Sequence, residues 1–125
     1  MTAQKYSIHF FFDYGTACFW AGNDRTRERF GIYIPPEKLP LSSETIAIVH
    51  SLAELFYTSL NQEYPLDPSP WRQAQCDYFN QVVDALFQTA KTELGDEFEL
   101  VDEFCKLKED PDLDIYLKDP NHFKR

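Results

Sequence analysis

Residues 9–24 read HFFFDYGTACFWAGND, and the way they fold sets the architecture of everything after them. From Tyr6 the chain alternates. Tyr6, Ile8, Phe10 and Phe12 fall on one side of an extended backbone, and Ser7, His9, Phe11 and Asp13 on the other. A period of two in β-prone residues predicts a strand over 6–13. Asp13-Tyr14-Gly15-Thr16 supplies a turn, with Gly15 free to take a positive φ. Residues 16–21 read as a second strand, in which Thr16, Cys18 and Trp20 oppose Ala17, Phe19 and Ala21, and Gly22-Asn23-Asp24 ends it. The stretch is expected to be an antiparallel hairpin with one face packed on helices and the other partly covered or exposed; its rings are read as core filling, with an exposed aromatic patch at a protein interface as the alternative.

Beyond the hairpin, Arg25, Arg27, Glu28 and Arg29 suit one helical turn. Gly31-Ile32-Tyr33-Ile34 suits a brief edge strand stopped by Pro35-Pro36, with a loop over 36–41. Ser42 and Ser43 are N-cap candidates for a helix reaching Leu60, with Ile46, Val49, Ala53, Phe56 and Leu60 on its apolar stripe. Ile48, Leu52 and Leu55 widen that stripe, so this helix is expected to be largely buried. Ser69-Pro70 opens a second helix, which runs to Leu94 before Gly95. Cys76, Phe79, Val83, Leu86, Ala90 and Leu94 mark its inner face. EFELV, residues 97–101, alternates again and suits a third strand. The order ββ(β)ααβ predicts an α+β two-layer sandwich: an antiparallel sheet of three or four strands with two main helices on one face. With 125 residues, the chain is expected to form a single domain over 1–125. Residues 104–125, which carry Asp110-Pro111 and Asp119-Pro120 and little periodicity, are expected to be a loosely docked tail.

Composition narrows the partners. Twenty-one acids against twelve lysines and arginines give a net charge of −9. Such a surface repels nucleic acid and anionic membrane, and a cationic protein suits it better. Cys18, Cys76 and Cys105 are odd in number and widely spaced, which fits free thiols rather than a disulfide framework or a zinc site. No apolar run is long enough to span a bilayer, and the first residues do not form a signal peptide. A soluble cytoplasmic protein is expected.

Chemistry-bearing patterns are missing from the sequence. His9, His50 and His122 form no HxH or HExxH pair, and the glycines form no phosphate cradle. His9 shares a strand face with Ser7 and Asp13, but no nucleophile turn accompanies them. Cys18 has no neighbouring base to lower its pKa, so packing is its expected role. Asp13 and Asp24 flank the hairpin as turn caps. No catalytic residue, metal site or cofactor is expected. Charge is the one distinctive pattern: between Glu93 and Asp114, ten acids stand against two lysines, a net of −8. This run either keeps a sheet edge solvated or forms a platform for a basic protein.

The DYG turn, FWAGND, LPLSSET, SLNQEYP and DPSPW together resemble a set of small acidic bacterial proteins encoded beside polymorphic or contact-dependent toxins. The resemblance covers roughly residues 8–102 and leaves the C-terminal segment outside. It implies an immunity protein, an inhibitor that binds a cognate toxin domain and blocks it; no functional residue carries over. On the residues themselves, the candidates for contacting basic groups are Glu97, Glu99, Asp102 and Glu103, with Asp13, Tyr14 and Asp24 around the hairpin. Two other readings stand beside this one. One is a small enzyme or ligand-binding domain with His9, Asp13 and Cys18 near a pocket between sheet and helices. The other is an adaptor or homodimer joined through an exposed aromatic face.

Overall fold

A computed structural model describes residues 4–124. β1 (Tyr6–Phe10) and β2 (Phe19–Ala21) pair antiparallel, with Ile8 opposite Ala21, His9 opposite Trp20 and Phe10 opposite Phe19. The hairpin is present, although its regular ladder is shorter than the alternation suggested. Phe11 N–H still reaches the Cys18 carbonyl at 3.1 Å, and Gly15 makes the turn at φ 81°. Ile8, Phe10, Phe12 and Phe19 are buried as expected. Phe11 and Trp20 lie on the opposite, outward face, which is partly covered as expected: both are half-buried rather than interior, and their rings stack 5.0 Å apart.

Asn23 caps α1 (Asp24–Phe30) by accepting the Thr26 N–H at 3.0 Å. Residues 31–34 add a single bridge, Trp20 to Tyr33, rather than a fourth strand. A 3₁₀ turn at Pro36–Lys38 leads to α2 (Ser43–Tyr57), whose cap is Ser42, with Oγ accepting the Thr45 N–H at 3.1 Å. Only one stripe of α2 is buried: Thr45, Val49, Leu52 and Phe56. Ile48 and Tyr57 stay exposed, because α2 meets α3 and the hairpin tip along one stripe and has no neighbour covering the rest of its circumference. α3 (Gln73–Leu94) ends at Gly95 as expected, at φ 76°, and buries its whole predicted stripe. It starts later than Ser69, whose Oγ takes the Trp71 N–H at 3.2 Å instead.

β3 (Phe98–Asp102) completes the sheet, in the order β2-β1-β3. Here the expectation of an antiparallel sheet fails. β3 runs parallel to β1, with Tyr6 beside Phe98 and Phe10 beside Asp102. Alternation fixes which side chains face inward but carries no information about strand direction. Direction is set by the connection: α2 and α3 cross the inner face and return the chain to the end from which β1 set out. The sheet is mixed and the class α+β.

Between the layers the core is mostly rings. Phe79, fully buried, lies between 5.4 and 6.0 Å from Phe12, Phe56, Trp71 and Phe104, centroid to centroid. Each such pair adds on the order of 1 kcal/mol beyond the area it buries. Past β3 the chain returns along α3. Asn80 and Gln73 each exchange two hydrogen bonds with it, at Leu107 and Glu109. α4 (Leu113–Lys118) buries Leu113 and Tyr116.

Candidate functional site

The hairpin tip, the end of β3 and the last turn of α2 meet at one end of the sandwich. Between them lies an open groove of about 400 Å³, lined by Phe11, Phe12, Phe56, Glu103, Phe104, Cys105 and Leu107. Strand alternation places Phe11 and Phe12 on opposite faces, so the groove wraps over the sheet's end. Phe104 is brought in by a tight turn, in which Asp102 Oδ1 accepts the Phe104 N–H at 3.0 Å. Glu103 N–H donates to the Phe10 carbonyl at 3.0 Å, which carries the parallel ladder one residue past β3.

Four of the seven predicted contact residues gather here. Asp13 is exposed in the turn, its Oδ1 accepting the Tyr14 N–H at 2.8 Å. Tyr14 is 42% exposed and stacks 4.6 Å from Phe56, with its hydroxyl 3.3 Å from Ser59 Oγ. Asp102 and Glu103 form the β3 side. Glu103 Oε1 lies 3.1 Å from His9 Nδ1 on the outward face, with both side chains partly open to solvent.

The other three do not join them. Asp24 opens α1 at the far end of β2 and is engaged by Arg27. Glu97 precedes β3 at that same far end, where its carbonyl accepts the Tyr6 N–H. Glu99 lies beside Ser7 on the outward face, between the two ends. The acid run is also less free than its count suggests. Glu93 accepts the Ser42 N–H at 2.7 Å and the Thr45 hydroxyl at 2.8 Å, and these donors hold its carboxyl below the usual range. Asp114 and Glu109 both face Arg72, whose guanidinium is held charged still more firmly by Asp114.

His9, Asp13 and Cys18 have three different surroundings: the outward face, the solvated turn and the closed core. Cys18 is 0% exposed, and burial pushes its thiol up, away from nucleophilic use. Among the described residues, no group of three His, Cys, Asp or Glu side chains could hold a metal ion. No helix there is long and apolar enough to cross a membrane.

Sequence reading missed Phe56, Phe104 and Leu107 as parts of a site. Phe56 reads as helix core and the other two as tail, and only the fold places them beside Phe11. A second trough of about 650 Å³ lies between α3 and β3, with Lys5 and Lys91 on its walls opposite Asp96 and Glu99. Its mixed charge sets it apart from the hairpin-end groove.

A search among curated proteins found no match. A family model described as Serratia CdiI immunity protein-like matches residues 6–102, from the first residue of β1 to the last of β3. With the whole sheet and both long helices inside that match, the chain belongs to the Serratia CdiI immunity protein-like family.

Proposed function

We propose that this protein is a non-enzymatic, cytoplasmic immunity protein of a contact-dependent growth inhibition system, which binds a cognate basic toxin domain and neutralises it. The family match over residues 6–102 carries the reading. The charge supports it. A net of −9 with a carboxylate-rich β3 steers a cationic protein towards the sheet and holds it there. Nucleases need basic clefts for phosphate, so a nuclease is the kind of toxin this surface suits, and neither nucleic acid nor membrane is its partner. Asp13, Tyr14, Asp102 and Glu103 at the hairpin end, with Glu99 on the outward face and Asp24 and Glu97 beyond it, are the proposed contacts.

The direct test mixes the purified protein with the toxin domain encoded immediately upstream and follows the complex by titration calorimetry at low salt. A stoichiometric complex that weakens as salt rises is expected. Failure to bind in low salt, or hydrolysis of the toxin's substrate by the immunity protein itself, removes the reading.

A further inference from the structure

We propose that the groove at the hairpin end is the seat of an arginine-bearing segment of the toxin; the inference rests on the immunity reading above. Its lining supplies the two things a guanidinium needs. The first is a set of aromatic rings, with Phe11 and Phe104 half-exposed and Phe12 and Phe56 beneath them. A planar, weakly hydrated guanidinium stacks on such rings, whereas a lysine ammonium keeps its water. The second is a carboxylate at the rim. Glu103 uses Oε1 towards His9, while Oε2 has no partner among the described residues. The remaining oxygen is open to a charged N–H donor of the guanidinium.

The surroundings point the same way. No lysine or arginine lines the groove. Asp13 and Asp102 add negative charge nearby, and Asp102 acts as a positioning residue because its bond to the Phe104 N–H fixes the turn that presents the ring. The trough beside β3 sets two lysines against two acids on its walls and so offers an arginine no net attraction. A rim carboxylate over a ring floor binds an arginine more tightly than either element alone, since the rings exclude water from the ion pair.

Cys105 provides a probe. It is exposed on the groove's lining, whereas Cys18 and Cys76 are buried. The experiment titrates the upstream-encoded toxin domain into the wild-type protein, Glu103→Gln and Asp84→Asn. Asp84→Asn removes the same unit of charge from an exposed position of α3. In parallel, maleimide labelling of Cys105 is timed with and without toxin. The inference expects the toxin to slow Cys105 labelling at least tenfold. It expects Glu103→Gln to weaken binding by on the order of tenfold, with Asp84→Asn close to wild type. If the wild-type complex forms while Cys105 labels at its free rate, the groove is not the seat, and the immunity reading stands without it. Protection of Cys105 with unchanged binding by Glu103→Gln overturns the arginine assignment. No complex with wild-type protein removes the immunity reading and the groove together.

Discussion

Asn80 holds Leu107 with both ends of its side-chain amide: Nδ2 donates to the Leu107 carbonyl at 2.9 Å, and Oδ1 accepts the Leu107 N–H at 2.8 Å. Gln73 and Glu109 form a second exchange seven residues earlier on α3, with both bonds at 3.0 Å. A helix thus presents to the C-terminal segment the donor–acceptor pattern that a neighbouring strand would offer. Asn80→Ala leaves a half-buried N–H and carbonyl unmatched, at a cost of about 1–3 kcal/mol. Urea unfolding measures the loss. Hydrogen exchange should show it spreading from residues 105–118, with the α3 core amides retaining their protection.

Gly22 is constrained by space rather than by φ. A Cβ there would meet Ser7 Oγ at 2.6 Å and the His9 ring at 2.7 Å. The methyl of Gly22→Ala has to push the imidazole away, and His9 leaves Glu103. A loss of about 1 kcal/mol is expected, because both obstacles are movable side-chain ends. The same substitution made in a His9→Ala background should cost clearly less, and a double-mutant cycle in urea reads the difference.

Phe79 is the ring on which the core turns, with four aromatic neighbours from the hairpin, α2, the loop before α3 and the turn after β3. Phe79→Ala should lose about 3–5 kcal/mol and Phe79→Leu roughly 1–2, the difference reflecting the cavity left behind. Thermal midpoints of the two variants order these costs. The alanine variant should also open the hairpin-end groove, since Phe12, Phe56 and Phe104 all rest on this ring.

Glu93 makes the start of α2 sensitive to acid. Donors from Ser42 and Thr45 stabilise its carboxylate, so its pKa in the folded protein lies below the ordinary value near 4.5. A depressed carboxyl stabilises the fold above its unfolded value and loses that contribution as pH falls through the folded one. Glu93→Gln should therefore be less stable than wild type at pH 7, by less than about 1 kcal/mol given its exposure. The gap should narrow as pH falls below the ordinary carboxyl value and vanish once the folded-state carboxyl is also protonated. Stability curves of both proteins across pH 3–7 give the comparison.

How much of this was legible depends on the range over which each signal acts. Gly15, Ser42 and Gly95 behave as their local chemistry dictates, and the α3 stripe from Cys76 to Leu94 is buried in full. α1 is one turn longer than its charged run suggested. The signal was present in Asn23, whose side chain caps Thr26, but the same residues also suit the end of a strand. Direction of β3 and the convergence of Phe11, Phe56 and Phe104 come from contacts far apart in sequence. No periodicity encodes these. Tyr14 was legible as a contact candidate in the turn, but its seat on Phe56 required both elements in place. Of the acids, their number was legible, while their engagement by Ser42, Arg72 and His9 was not.

The central strand also sets a timetable. β1 is synthesised first, yet its second neighbour is β3, and Tyr6 lies beside Phe98, 92 residues downstream. Closing so long a loop is slow and entropically costly, and it cannot begin until the ribosome has released that stretch. Until then the emerging chain has a two-stranded ribbon with one flank unpaired, and Asp102 and Glu103 are not yet in place beside it. The acids proposed to meet a toxin on the β3 side therefore reach their place only after β3 has paired, and a chain cut short before Phe98 carries the hairpin without Asp102 and Glu103 beside it.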